Sequence, residues 1–118
     1  MKYGRKPEQP KHNFEEAAAK YLLECTNEKD LYRTDYALRL AMPYIGARDL
    51  SEIHNGSLMP LVDDRRADGK KPATINRDIA VIGAVLKAAH TKWFNPDGNP
   101  WLPKLPKLSL LDVEKSGA

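Results

Sequence analysis

The sequence predicts an all-α fold, a small bundle of four main helices. Apolar residues recur at spacings of three and four along several stretches, which is the periodicity of one helical face. No stretch shows the alternation of apolar and polar residues around a tight turn that marks a β-hairpin. Most of the nine prolines and seven glycines fall before, between or after the helical stretches, where they end helices.

The first predicted helix begins after Asn13 and ends near Cys25. Asn13 is a typical N-cap, and Glu16 three residues later completes a capping-box pattern. The apolar side of this helix carries Phe14, Ala17, Ala18, Tyr21, Leu22 and Cys25. Because Cys25 is the single cysteine, an internal disulfide is excluded, and we expect a buried structural thiol.

The second helix is predicted from residue 28 to about residue 42, where Pro43 ends it or kinks its last turn. Gly46 then permits a left-handed turn. A third helix is predicted from residue 56 to about residue 67, with Asn55 as its N-cap. Gly69 is placed to stop it.

The longest predicted helix spans residues 72–93 and starts at Pro72, which suits a first helical turn. Its apolar stripe consists of Ile75, Ile79, Ile82, Leu86, Ala89 and Trp93. A second face, with Asn76, Ala80, Gly83 and Lys87, is small and polar with cations at its margins. This face suits either close packing against another helix or a close approach to nucleic-acid phosphates.

After residue 93 the prolines exclude a continuous helix, and Trp101 and Leu102 are expected to fold back on the core. The predicted organisation is therefore a flexible basic arm at residues 1–12, a helical domain at 13–106, and a linker at 107–118.

The net charge of +3 is distributed unevenly. Residues 13–64 carry five cations and ten acids, whereas residues 65–92 carry seven cations and two acids. The long helix and the loop before it are thus the basic pole of an acidic body, and such a pole attracts polyanions. The alternative is that its cations pair with acids of the first half across the fold.

The sequence contains no glycine-rich phosphate loop, no HExxH motif and no pair of histidines at metal-ligand spacing. Nothing marks a nucleophile elbow. We therefore expect no enzyme, no cofactor and no metal site. No apolar run reaches the roughly 18 residues needed to span a bilayer, and the N-terminus has no secretory hydrophobic segment. A cytoplasmic location and no membrane partner are the resulting expectations.

Three segments together resemble one family. They are FEEAAAKYLLE, YALRLAMPYIGARDLSEI and RRADGKKPATINRDIAVIGAVLKAAHTKW, within about residues 14–106. In this order and spacing they are similar to the N-terminal core-binding domain of tyrosine recombinases of the phage-integrase type. The resemblance implies a SAM-like bundle, bacterial or phage-encoded, that forms half of a C-shaped clamp around double-stranded DNA at a recombination core site.

The resemblance also implies a catalytic domain of the same full-length protein, bearing an Arg, a Lys, an HxxR motif and a nucleophilic Tyr. None of that half is found: HTKW at residues 90–93 is not HxxR, and all five tyrosines lie in the N-terminal part. This chain is therefore expected to be a fragment that binds DNA without cleaving it, with a homo-oligomer on DNA as a further expectation.

By the family pattern, the second and fourth helices approach the DNA. The residues implied as DNA contacts are Arg33, Thr34, Arg39, Lys70, Lys71, Thr74, Asn76, Arg77 and Lys87. Two local alternatives stay open, since Thr74 could cap the helix and Asn76 could bond within its first turn. The alternative function is a helical SAM-like protein–protein interaction module. A helix-turn-helix repressor is disfavoured, because the last helix is much longer than a recognition helix.

Overall fold

The computed structural model describes residues 11–111. Within this range it contains four α-helices and a short 3₁₀ helix at Leu50–Glu52. The α-helices are α1 (Phe14–Glu24), α2 (Glu28–Ile45), α3 (Asn55–Ala67) and α4 (Pro72–Thr91). The described part has no strand, only isolated bridges, which confirms the all-α prediction. Residues 1–10 of the predicted arm and residues 112–118 of the predicted linker lie outside the described residues.

Both α2 and α4 pack against every other helix, and their apolar sides meet in one core. All six residues of the predicted α4 stripe are buried, although the helix itself ends at Thr91, before Trp93. The fully buried larger side chains include Phe14, Leu38, Ile45, Leu50, Ile53, Ile82 and Leu86. In the region that the structure describes, no helix is both long and apolar enough to traverse a bilayer.

The start of α1 is as predicted, and its end differs. The Asn13 side chain accepts a hydrogen bond from the backbone N–H of Glu16 at 2.8 Å. The Glu16 carboxylate, however, bonds to His12 instead of returning to the N-cap backbone. Cys25 is the C-cap residue and is half-buried, so the expectation of a fully buried thiol is wrong. The helix ends at Glu24, so Cys25 lies just beyond the helix whose apolar period predicted its burial.

The helix α2 continues through Pro43 to Ile45 because burial of Ala41 and Ile45 holds its last turn against the core. Gly46 has φ −55°, in the right-handed region, so the predicted left-handed turn is wrong. Glycine suits this position for another reason. A β-carbon here would approach the Met42 carbonyl oxygen to 2.7 Å.

His54, not Asn55, is the N-cap of α3, which corrects the sequence prediction. Its ring Nδ1 accepts from the N–H of Gly56 at 3.0 Å, and the Ser57 hydroxyl accepts from the N–H of His54 at 3.3 Å. Asn55 falls inside the helix and is free to reach elsewhere. The predicted stop at Gly69 is confirmed by its φ of +83°, a conformation that glycine adopts without strain.

Beyond α4 the chain folds back, as predicted. The N–H of Trp101 donates to the Trp93 carbonyl at 2.9 Å, and the N–H of Leu102 donates to the Ala89 carbonyl at 3.0 Å. Leu102 is buried. The following residues return along α4 towards its N-terminus, and residues 107–111, here named the C-terminal strap, lie against α3 and α4.

Candidate functional site

An open groove of about 610 Å³ lies between α2 and the first half of α4. Four residues that the sequence predicts as DNA contacts line it, namely Arg33 and Thr34 from α2, and Thr74 and Arg77 from α4. The bundle packing therefore brings together polar side chains from two helices that are well separated along the chain.

The position of Arg33 and Thr34 follows from the N-cap of α2. The Asn27 side chain accepts hydrogen bonds from the N–H groups of Lys29 and Asp30, at 3.0 and 3.3 Å, and so fixes the first turn. One turn later Arg33 is exposed, while Thr34 is half-buried towards the core side. The Arg33 guanidinium thus lies near the surface of the groove, and the Thr34 hydroxyl lies deeper in it.

Thr74 and Arg77 lie in the first two turns of α4. The N-cap residue is Lys71, and no side chain caps this helix end, so the alternative of a capping Thr74 is not observed. An uncapped helix N-terminus carries a partial positive charge from its free N–H groups. The exposed side chains of Lys70 and Lys71 lie on the loop that enters this turn.

The deepest polar contact of the groove is an ion pair between α3 and α4. Arg65 Nε lies 3.1 Å from Asp78 Oδ2, and both residues are buried. Burial raises the pKa of the Asp78 carboxyl above its ordinary value, and the Arg65 guanidinium opposes this shift. Because the two charges neutralise each other, the pair forms the base of the groove and leaves Arg33 and Arg77 as its exposed cations.

Two exposed tyrosines on α2 form the rim of the groove, and they are not among the site residues predicted from the sequence. Tyr32 is 77% exposed and Tyr36 is 53% exposed. The signal in the sequence is their spacing of four residues on the polar side of a helix, beside Arg33. Besides the buried Asp78, the exposed carboxylate of Asp30 also lines the groove.

The other cations predicted as contacts lie outside this lining. Arg39 pairs with Asp35 one turn away on α2, at 2.8 Å between Nε and Oδ2. Lys87 is exposed and lines a separate hollow with Leu105 and Pro106. Within the part of the chain that the structure describes, Arg65 is the one cation of the basic pole in an ion pair, and its partner Asp78 belongs to the same pole. Pairing of the pole with acids of the first half is therefore not observed there.

Asn76 makes a contact that the sequence does not predict. Its Nδ2 donates to the Leu111 carbonyl at 2.8 Å, and its Oδ1 accepts from the Leu111 N–H at 2.6 Å. The side chain bonds neither within the first turn of α4 nor into the groove. Ala80 and Lys87, which share this flank, are exposed and not sealed inside the bundle.

Among residues 11–111, no group of three His, Cys, Asp or Glu side chains is placed to hold a metal ion. Comparisons of this chain with protein-family models, with curated proteins and with solved structures gave no match. The resemblance to integrase core-binding domains therefore stays a prediction.

Proposed function

We propose that this chain binds double-stranded DNA through the groove between α2 and α4, as the core-binding half of a phage-type integrase. One observation carries the proposal: Arg33, Thr34, Thr74 and Arg77, each inferred from the resemblance, line the same open groove. Recombination then requires a catalytic domain supplied elsewhere in the protein, and several copies assemble on DNA in the cytoplasm.

The chemistry of these groups suits a phosphate backbone. Arginine presents several N–H donors to phosphate oxygens, and threonine and tyrosine hydroxyls donate single hydrogen bonds. The uncapped N-terminus of α4 and the neighbouring Lys70 and Lys71 add positive potential at one end of the groove. Such contacts give affinity more than sequence choice, so we expect binding to duplexes of arbitrary sequence.

The test is fluorescence anisotropy of a labelled duplex titrated with the full chain at several salt concentrations. The variant Arg33→Ala with Arg77→Ala removes two phosphate contacts, so the log–log salt slope should fall by roughly 2. The matched control, Arg48→Ala with Lys92→Ala, removes the same charge from exposed positions outside the groove. It should leave the slope nearly unchanged.

A third variant reverses the sign of the effect. Asp30→Asn removes the exposed carboxylate from the groove lining, and DNA binding should become tighter at low salt because a repulsion is lost. Equal effects of the groove pair and the control pair would reduce the binding to general charge attraction. Absence of duplex binding by the unaltered chain at low salt would overturn the proposal.

The exposed Tyr32 and Tyr36 favour a second candidate function, a protein–protein interaction module, because exposed aromatic side chains anchor protein interfaces. Sedimentation of the full chain with and without duplex DNA separates the two functions. Self-association that is lost in Tyr32→Ala with Tyr36→Ala, in a chain that ignores DNA, supports the module.

A further inference from the structure

Two asparagine side chains hold the C-terminal strap from different helices. Asn55 on α3 accepts from the Ser109 N–H at 2.9 Å and donates to the Ser109 hydroxyl at 3.2 Å. Asn76 on α4 bonds both the carbonyl and the N–H of Leu111, at 2.8 and 2.6 Å. The strap is therefore hydrogen-bonded at two alternate residues, Ser109 and Leu111.

The strap also covers the small side of α4. Leu108 lies over Gly83, where an added β-carbon would stand 4.0 Å from Leu108 Cδ1. A hollow of about 310 Å³ continues along this flank between Ala80 and Leu110. The small residues of α4 thus leave room for an apolar segment, and in the structure the strap packs against this face.

The side chains of Asn55 and Asn76, here named the asparagine clamp, have the chemistry to bind the N–H and C=O groups of an extended backbone. An asparagine amide carries one acceptor oxygen and an N–H donor, the same groups as a peptide unit, so Asn76 pairs with residue 111 as a neighbouring strand would. Successive residues of an extended chain face opposite ways, and the clamped positions 109 and 111 are one strand period apart. Leu108 supplies the apolar contact beside them.

We propose that this flank, formed by Asn55, Asn76 and Gly83, is a docking site for an extended apolar segment, and that the strap of a second copy occupies it in exchange for the chain's own. Exchange reproduces the same contacts, so it costs little apart from association. This proposal does not depend on DNA binding.

The segment before the strap is suited to such an exchange. Leu102 is anchored by its backbone bond to Ala89, and residues 103–107 between this anchor and the clamp contain two prolines. Proline restricts this hinge to extended conformations, so the segment acts as a semi-rigid spacer that lets the strap reach either its own helices or those of a second copy. Leu105 and Leu110 are 40% and 57% exposed, so much of the apolar surface in this part of the chain is still uncovered.

Two full-length variants test the proposal by complementation. In the acceptor chain, Leu108→Asp with Leu111→Asp releases the strap and leaves the clamp intact. In the donor chain, Asn55→Ala with Asn76→Ala removes the clamp and leaves the strap intact. Each chain alone should be a monomer, and their mixture should form a heterodimer in sedimentation velocity. Circular dichroism of each chain verifies that α1 to α4 remain folded.

The control combines all four substitutions in one chain, which should not associate with the donor. Absence of a complex between donor and acceptor would overturn the proposal, and so would equal association of the control.

A second measurement does not depend on the donor chain. A fluorescent peptide with the sequence of residues 103–111 should bind the acceptor at least about tenfold more tightly than the unaltered chain, because a strap already covers the flank of the unaltered chain and competes with the peptide. Equal peptide binding by both chains would contradict a shared site.

Discussion

Gly83 and Gly69 are two glycines with opposite backbone requirements. Gly83 lies inside α4, has ordinary helical φ, and has only Leu108 Cδ1 near its missing β-carbon, at 4.0 Å. Gly69 has φ +83° after α3, with open space around it. A methyl group added at either glycine would therefore meet no close contact. Only at Gly69 would it be opposed by the backbone conformation.

We predict that Gly83→Ala stabilises the protein by about 0.5–1 kcal/mol, because glycine inside a helix has more conformational entropy to lose than alanine. The matched substitution Gly69→Ala should destabilise it by about 1–2 kcal/mol, the penalty of a left-handed conformation for an L-residue. Urea denaturation measures both. A loss of stability in Gly83→Ala would show that the strap packs closer to α4 than the 4.0 Å between Leu108 Cδ1 and the added β-carbon.

The hydrogen bond from the Tyr44 hydroxyl to the Asp64 carboxylate, 2.5 Å long, links α2 to α3. This bond raises the pKa of the Tyr44 phenol above its ordinary value of 10.0, because ionisation would place two negative charges together. A pKa raised in the folded state means that the folded protein retains this proton longer than the unfolded chain. The stabilisation is therefore full below pH 10 and is lost as pH rises through the raised pKa.

We predict that Tyr44→Phe is less stable than the unaltered chain at neutral pH and that this difference disappears in strongly alkaline solution. Chemical denaturation of both chains over a series of pH values measures the effect. Tyr36→Phe is the control for loss of a tyrosine hydroxyl, since this side chain is exposed, and it should leave stability nearly unchanged at neutral pH. A stability difference that is constant with pH would contradict the assignment of the bond.

At the scale of helices, the buried pair of Arg65 and Asp78 joins α3 to α4 beneath the groove. We predict that Asp78→Leu costs about 3–5 kcal/mol, because it leaves a buried guanidinium without its partner. The double variant Arg65→Met with Asp78→Leu should recover most of this loss, since two apolar side chains replace the pair without an unpaired charge. A double-mutant cycle by urea denaturation measures the coupling. Additive effects of the single substitutions would rule out the pair as the cause.

The spacing of apolar residues by three and four positions is sufficient to predict all four helices and the buried stripe of α4. The reason is that burial of an apolar face decides where helices form. It did not predict the N-cap of α3. His54 and Asn55 both carry side-chain acceptors; in the structure His54 caps the helix, and Asn55 bonds to Ser109, 54 residues away along the chain. A local pattern contains no information about such a distant partner.

The candidate site could be predicted only in part, again because some contacts depend on residues that are distant along the chain. Arg33 and Arg77 were identified from the resemblance, and their helices face each other across the groove. The contact of Asn76 with Leu111 depends on the return path of the chain after α4, which proline positions alone do not define. A small polar helix face predicts that another chain segment or a ligand approaches closely. The local sequence does not indicate that this segment is the strap of the same chain.

At the scale of the whole molecule, His12 brings the beginning and the end of the domain together. Its ring stacks on Trp101 with centroids 3.7 Å apart and an interplanar angle of 6°. Its Nε2 is 2.7 Å from the Asn95 side-chain oxygen, and its Nδ1 is 2.8 Å from the Glu16 carboxylate. One side chain thus connects the entry to α1 with the loop that follows α4.

The position of Trp101 makes this connection important for the strap. Trp101 precedes Leu102, the anchor from which the chain turns back along α4, and its ring also packs against Trp93 at 5.2 Å. Loss of the His12 contact therefore loosens the anchor of the strap from the opposite end of the chain. We expect a change at residue 12 to be measurable both in global stability and at the tryptophans.

We predict that His12→Ala lowers stability by about 1–2 kcal/mol, from the lost ring stacking and from the buried Asn95 side chain left without a partner. Tryptophan emission should shift to longer wavelength, because the face of Trp101 that His12 covers becomes open to water. His12→Phe separates the two causes, since it keeps the stacked ring but not the hydrogen bonds. It should retain the native emission and lose only part of the stability. If His12→Ala changed neither quantity, the ends of the domain would be held by Leu102 and the Asn13 cap without this contact.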